Sequence, residues 1–381
     1  MYVDIDMVKV TDIVVHEFSF RDAHERWKSG KPLPKYNEKS HYGAELAKQE
    51  RALRTVFAML DEEFLKEMKV QSVEERLPRN VQFKVEFVLS EANTSLANAI
   101  RRALVDEVEV WSLTCDEFSS FKEHDKYMLS DFFRKQVELI PISQDLVEAD
   151  VPQWEIFIDL VNPTEDTLPV LSGHIQVRDR KTKELVDTLG LWEQHIHLAY
   201  LQSGKKLKVN NIQIVRGQGK VDAAAFNHLA NVLYDVLDAG PALTSMPTRF
   251  LLGYDTHKNY REAKAPIRRA VQYLVGRLEH IKGVLPKALK DAVFLSETLK
   301  VERHAEYLYV IIQADTWTLS SLIARYMLDL VPDIPYVAAD IEHPDRDTSV
   351  IKVAHVDALK IMHDAMEKAI KDLNVVLAAF A

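Results

Sequence analysis

Apolar and polar positions alternate strictly along residues 81–89, VQFKVEFVL, with Val81, Phe83, Val85, Phe87 and Leu89 in one set and Gln82, Lys84 and Glu86 in the other. A period of two predicts a half-buried strand. The period then changes. Asn93 or Thr94 supplies an N-cap, and Leu96, Ile100, Ala103 and Leu104 recur at helical spacing, which predicts an amphipathic helix running on into a strand near Trp111. Arg101 and Arg102 fall off the centre of its apolar stripe.

Further along, from about Ser143, the segments QWEIFIDLV, SGHIQVRD, ELVDTL and KLKVNNIQIVRG are short, strand-like and separated by turn-forming residues, which predicts a small all-β insertion over 143–219. Helical spacing returns at Ile267, Val271, Leu274, Leu278, Ile281 and Leu285, and again at Leu359, Met362, Met366, Ile370, Leu373, Leu377 and Phe380. Two such long seams predict helix-on-helix packing. Residues 1–79 read as an irregular leader, with a polar linker KSGKPLPKYNEKS and an added helix spaced on Leu53, Phe57, Leu60 and Phe64.

The strand and helix at 81–104 recur. Placing Leu96 on Leu319, 223 residues apart, also sets Ile100 on Ile323, Arg102 on Arg325, Val108 on Val331, Phe87 on Val310 and Leu89 on Ile312. Apolar helices that one copy would leave exposed are best covered by the other copy, so the duplication predicts an intramolecular pseudo-two-fold dimer. The expected fold is α+β: a first dimerisation module over 80–142 and 220–290, interrupted by the β insertion, and a second over 291–381. Leu96, Ile100, Val271, Leu274, Leu278, Leu319, Ile323, Met362, Met366 and Leu373 are the expected seam.

Composition narrows the class. A chain of 381 residues with 47% hydrophobic residues is expected to form two or three domains. A formal charge of −10 argues against a protein that grips phosphate backbones over most of its surface. The lone Cys115, read as a buried filler, excludes an internal disulfide and a multi-thiolate zinc site, and points to a reducing compartment. The start MYVDIDMVKV lacks the basic, then apolar, pattern of a secretory signal, and no stretch approaches the ~20 apolar residues of a membrane span.

Four segments, in order, carry a resemblance. SLANAIRRAL (95–104) resembles the helix motif of the bacterial RNA polymerase alpha subunit and its larger archaeal and eukaryotic relatives. KYMLSDFFRKQVELIPI (126–142) is similar to the family's next segment, and GKKLKVNNIQIVRGQGKVDAAAFN (204–227) to the strands that close its inserted domain. DTWTLSSLIARYMLDLVPDIPYVAADIEHP (315–344) resembles the smaller partner subunit. The two are fused here, an arrangement similar to the polymerases of large cytoplasmic DNA viruses. The chain departs from the pattern in lacking the insertion's cluster-binding cysteines, in reading KVDAAAF where His-Ala is usual, and in placing Trp317 where the small partner has His.

The resemblance implies a non-catalytic assembly subunit of a DNA-directed RNA polymerase. Its partners would be the largest and second-largest subunits and small zinc-containing subunits, with no direct nucleic-acid contact, membrane, cofactor or metal. It implies a cytoplasmic viral factory and packaging in the virion. Asn98, Arg101, Arg102 and Arg325 become candidate contacts to the large subunits, because the planar guanidinium fork recognises carboxylates and carbonyls with more geometric precision than lysine; solvated helix charge is the plainer reading. A rival reading makes His195 and His197 the start of a metal site in a metal-dependent enzyme, and another makes the chain a free-standing homodimeric interaction module. RGQGK (216–220) reads as a tight turn, the basic clusters 179–184 and 203–208 as hairpin tips, and Asp131 as a helix-start residue.

Overall fold

The computed structural model of the chain describes residues 8–18, 26, 29, 82–115, 121–123, 130–186, 188, 189, 191, 196–238, 246–288, 293–304, 306–341 and 347–381. Apart from Ser29, the linker and added helix expected within 28–70 lie outside them, as do His195 and the His-Pro pair at 343–344.

Among the described residues the chain is mixed α+β. One antiparallel sheet has the order β1 (Lys9–Phe18), β2 (Gln82–Ser90), β11 (Phe250–Thr256), β10 (Leu229–Val236). A second antiparallel sheet has the order β12 (Val293–Leu295), β13 (Leu299–His304), β14 (Tyr307–Gln313), β16 (Thr348–Ala354), β15 (Tyr336–Ile341). The two sheets are built alike. In each, a strand that leads into a helix is paired antiparallel with a strand that returns much later, Leu89 opposite Phe250 in one and Ile312 opposite Ser349 in the other.

Helix α1 (Thr94–Arg102) follows β2, and α5 (Thr318–Leu330) follows β14. The strands β2 and β14 end at Ser90 and Gln313, 223 residues apart, and the residues after each, Glu91 and Ala314, both sit in the left-handed region with φ of 54° and 52°. Two L-residues share this uncommon conformation at the same repeat position because the chain makes the same sharp corner twice. After α1 the backbone widens into a π turn, Ala103–Glu107, before β3 (Glu109–Thr114).

Each copy ends in a long helix, α4 (Ala265–Ala288) and α6 (Ala358–Ala379), and these two pack on one another. The packing is reciprocal. Helix α4 also reaches β12 and β13 of the second sheet, while α6 reaches β1 of the first, where the Phe380 ring stands edge-on to Phe87 with centroids 4.9 Å apart. One continuous hydrophobic core results, holding Leu96, Ile100, Val271, Leu274 and Leu278 together with Leu319, Ile323, Met362, Met366 and Leu373, every one of them buried.

A separate core lies under a sheet of order β3, β9 (Lys206–Gln218), β5 (Trp154–Val161), β7 (Gln176–Asp179), with β4 (Phe121–Glu123) also on β9 and a further pair β6 (Leu168–Leu171) and β8 (His197–Leu201). Helix α2 (Ser130–Glu138), with Asp131 in its first turn, and the short α3 (Ala223–Phe226) pack beside it. Cys115 is buried there. Past β9 the chain turns at Gly219 and Lys220, and at Gly217 a Cβ would stand 2.5 Å from the Phe226 ring, so only glycine lets strand and helix close up.

Three expectations are corrected. Residues 9–18 are no irregular leader but the edge strand β1, whose bulge between Thr11 and Val14 breaks the alternation that would have announced it. ELVDTL is reduced to one bridge, Leu185 with Arg178, while β6, which pairs with β8, went unread. The strand after α1 leaves its own module: β3 pairs with β9, and β10 takes the place beside β11 that β15 takes beside β16.

Candidate functional site

Helices α1 and α5 lie against each other and run antiparallel, because the start of α1 meets the end of α5 and the end of α1 meets its start. Apolar contact between Leu96, Ile100, Leu319 and Ile323 fills the middle. Polar junctions hold the two ends.

The first junction is built around Arg102. Its Nη2 donates to the Thr316 carbonyl at 2.6 Å and to Thr316 Oγ1 at 3.0 Å, and its Nε donates to Thr318 Oγ1 at 2.9 Å. The Thr318 hydroxyl in turn donates to Glu107 Oε1. Nearby, Lys220 Nζ donates to the Ala314 carbonyl at 3.4 Å, and Arg277 on α4 donates to the Gln313 carbonyl at 2.8 Å. Four donors from the first copy thus meet the corner between β14 and α5 of the second. That corner is braced from inside by Asp315, whose carboxylate accepts from the N–H groups of Leu319 and Ser320 at 2.9 and 3.1 Å and from the Ser349 hydroxyl. Asp315 therefore does the capping that Trp317, in the cap position, does not.

Glu107 is buried, and loss of solvation pushes its carboxyl up to about 7, against the lowering effect of the Thr318 hydrogen bond. The π turn is what aims it inward, while Val105 in the same turn faces solvent.

At the opposite end Asn93 caps α1, accepting from the Leu96 N–H at 2.8 Å, and its Nδ2 donates to Asp329 Oδ2 at 3.0 Å. Asp329 also pairs with Arg325 at 2.7 Å, and Tyr326 donates to Asp372 at 2.7 Å. A cleft of about 480 Å³ opens here, lined by Asn93, Met246, Arg325, Asp329, Lys368 and Asp372 among others.

The four candidate contact residues are thus divided. Arg102 is turned across to the second copy, Arg325 is folded onto Asp329 and Met246, and Arg101 lies half-exposed with its Nε donating to Asn98 Oδ1 at 2.9 Å. The reading of Arg102 as an outward grip missed its neighbour because Thr316 and Thr318 are more than 210 residues away in the chain. Glu107 was missed altogether: it is one of three acidic residues, with Asp106 and Glu109, between Leu104 and Val110, and no local pattern marks it as the one that turns inward. Of the histidine pair, His197 lies on β8 with its ring centroid 4.2 Å from that of Tyr200. Two deeply buried bases elsewhere belong to packing: His228, pushed down to about 3 by burial, bonds Tyr260 and the Leu104 carbonyl, and Lys258, lowered to about 7 by burial, donates to Ser112 and the Ala225 carbonyl. Among the described residues His363, Asp364 and Glu367 on α6 lie close enough to share an ion, but Asp364 and Glu367 are exposed and Glu367 pairs with Lys282.

No family model matches the chain. It is similar to proteins of African swine fever virus described as "DNA-directed RNA polymerase RPB3-11 homolog". The one from isolate Tick/South Africa/Pretoriuskop Pr4/1996 is 21% identical over 338 residues, spanning 79% of this chain and 87% of the relative. Those from isolates Warthog/Namibia/Wart80/1980 and Tick/Malawi/Lil 20-1/1983 are 21% and 20% identical, over 79% and 80% of this chain and 87% and 88% of theirs. The resemblance of this chain is to the fused form of the alpha-like polymerase subunits.

Two outcomes follow from the junction. Arg102→Ala is expected to destabilise the chain by about 2 kcal/mol, the usual worth of hydrogen bonds to a charged donor, and Arg101→Ala by under ~0.5 kcal/mol, as denaturant titrations would read. For pH, a folded-state value of about 7 for Glu107 against 4.5 unfolded means that its contribution is complete below pH 4.5 and is lost as pH rises through 7. Melting curves of Glu107→Gln and the unaltered chain should therefore diverge over that window, with the unaltered chain losing ground; parallel curves would show that Glu107 titrates normally.

Proposed function

We propose that this chain is a non-catalytic assembly subunit of a virus-type DNA-directed RNA polymerase, in which two alpha-like modules form an internal pseudo-dimer that serves as the platform for the two largest subunits. In this reading the modules are residues 80–142 with 220–290, and 291–381, and the region 143–219 is an inserted β domain, on whose core β3 and α2 of the first module also pack, while residues 9–18 add an edge strand to the first sheet. The observation that carries the reading is the reciprocal packing of α1 on α5 and of α4 and α6 on each other and on the opposite sheets. Exchange of equivalent contacts is the mark of an isologous interface, here between copies in one polypeptide.

Covalent linkage supplies what two separate subunits would obtain by association. A tethered partner is present at an effective concentration on the order of millimolar, so the halves stay paired at any concentration of the chain. The charged groups at the site are spent on holding helices in register. The chemistry of RNA synthesis belongs, in this reading, to the large subunits, while this chain fixes where they sit. Small zinc-containing subunits bind beside the first module, and Arg101 with Asn98 remains available for a partner. Cytoplasmic viral factories and the virion are the expected places of action; no described helix is long and apolar enough to cross a membrane.

Affinity capture of the tagged chain from cells making the whole polymerase tests this. The largest and second-largest subunits should be recovered in about 1:1:1 ratio with it. Recovery of the chain as a free homodimer, with neither large subunit, would contradict the assignment.

A further inference from the structure

A strand at the rim of a sheet leaves half of its backbone N–H and C=O groups without a ladder, and folded chains blunt such edges with short strands, bulges or charges. The two repeated sheets have four edges, β1, β10, β12 and β15. Strand β12 is only three residues long. Strand β1 carries the bulge between Thr11 and Val14, with Asp12 in the left-handed region at φ 54°. Strand β10 breaks register between Leu229 and Asn231 and lies against the π turn.

Strand β15 has none of these devices. Its six residues run in unbroken register with β16, from Tyr336 opposite Ala354 to Ile341 opposite Ser349, with no proline or lysine among them. None of the six is buried, and among the described residues the other side of the strand pairs with nothing. The Ile341 N–H donates to the Asp340 carboxylate at 2.8 Å, a side chain standing where a neighbouring strand would offer a carbonyl. On the core side Val337 and Ala339, with Leu330 and Val331 at the end of α5, are only partly covered.

The charge at this edge has one sign. Asp333, in the turn before β15, and Asp340, next to its end, are both exposed, and among the described residues neither is ion-paired. Lys352, on β16 opposite Ala338, is held by aromatic rings instead, its Nζ 4.2 Å from the Tyr307 centroid and 5.3 and 5.6 Å from those of Tyr309 and Tyr336. A second copy of the chain suits the edge poorly: antiparallel pairing over the whole strand would set Asp340 opposite Val337 and bring neither carboxylate a cation.

We propose that in the assembled polymerase β15 receives one more strand, an extended segment of another polymerase chain that carries lysine or arginine where it passes Asp340 and apolar residues over Val337 and Ala339. The inference rests on the assembly role proposed above and names how one partner is held. In strand addition the main-chain hydrogen bonds give affinity and the alternate side chains give specificity, and opposite charges facing across two strands favour the pair.

The test compares the full-length chain alone with the same chain in the purified polymerase, by hydrogen exchange of residues 336–341 read by mass spectrometry. These amides should exchange about a hundredfold more slowly in the complex, as ladder-bonded amides do. Carbodiimide treatment of the complex should join Asp340 to a lysine of another subunit and so identify the segment. Asp340→Lys, at an exposed site, should leave the Tm and the capture of the large subunits unchanged while raising exchange at 336–341 in the complex several-fold; Asp340→Asn serves if the lysine variant does not fold. Equal exchange in the free chain and the complex, or protection unaltered by Asp340→Lys, overturns the added strand while leaving the assembly role standing. So does protection already present in the free chain where light scattering shows a dimer, since the occupant is then a second copy. Absence of the large subunits from the unaltered chain's capture would remove both.

Discussion

Helix α5 is buried on more sides than its own sheet can cover. Thr318, Leu319, Ser320, Leu322, Ile323, Ala324, Tyr326 and Met327 are all withdrawn from water, a spread that wraps most of the helix circumference. Its cover comes from strands β15 and β16, from α6, and from α1 in the other copy. Burial of a Leu or Ile side chain contributes about 2 kcal/mol, so Leu96, Ile100, Leu319 and Ile323 together represent on the order of the whole net stability of a domain. A copy with this surface open to water would not be a stable object, and everything else about the molecule is arranged around closing it.

Apolar contact sets how strongly the helices adhere; the polar ends set where. Antiparallel α1 and α5 could slide by a turn with little loss of burial, but Arg102 on Thr316 and Thr318 at one end and Asn93 on Asp329 at the other define a single register. Burying Glu107 there costs solvation energy, which is why its carboxyl resists ionisation, and the cost is consistent with a group kept for specificity of pairing rather than for stability. The same end carries the left-handed Trp317 and the π turn.

What could be read from the chain follows from the range of the interactions. Strand β2 and helix α1 were legible because alternation and a 3.6-residue stripe are local, and the helices α4 and α6 because their apolar seams run for six turns. Strand β1 was not, since its bulge and its place 64 residues before its partner hide it from any local window. The departure of β3 to the β-rich sheet was equally invisible: its burial pattern fits either sheet, and pairing is decided by β9, about a hundred residues on. Arg102 shows the limit for sites. Its guanidinium does make hydrogen bonds, to Thr316 and Thr318, but those residues lie more than 210 positions on and no local window pairs them with it.

The repeated units are most directly tested by separating them. Residues 1–290 and 291–381, produced as two polypeptides in one cell, should copurify as a 1:1 complex, with each insoluble or aggregated when made alone, as size-exclusion chromatography with light scattering would report. Two soluble, folded monomers that ignore each other would mean that each core closes on itself and that no shared platform exists.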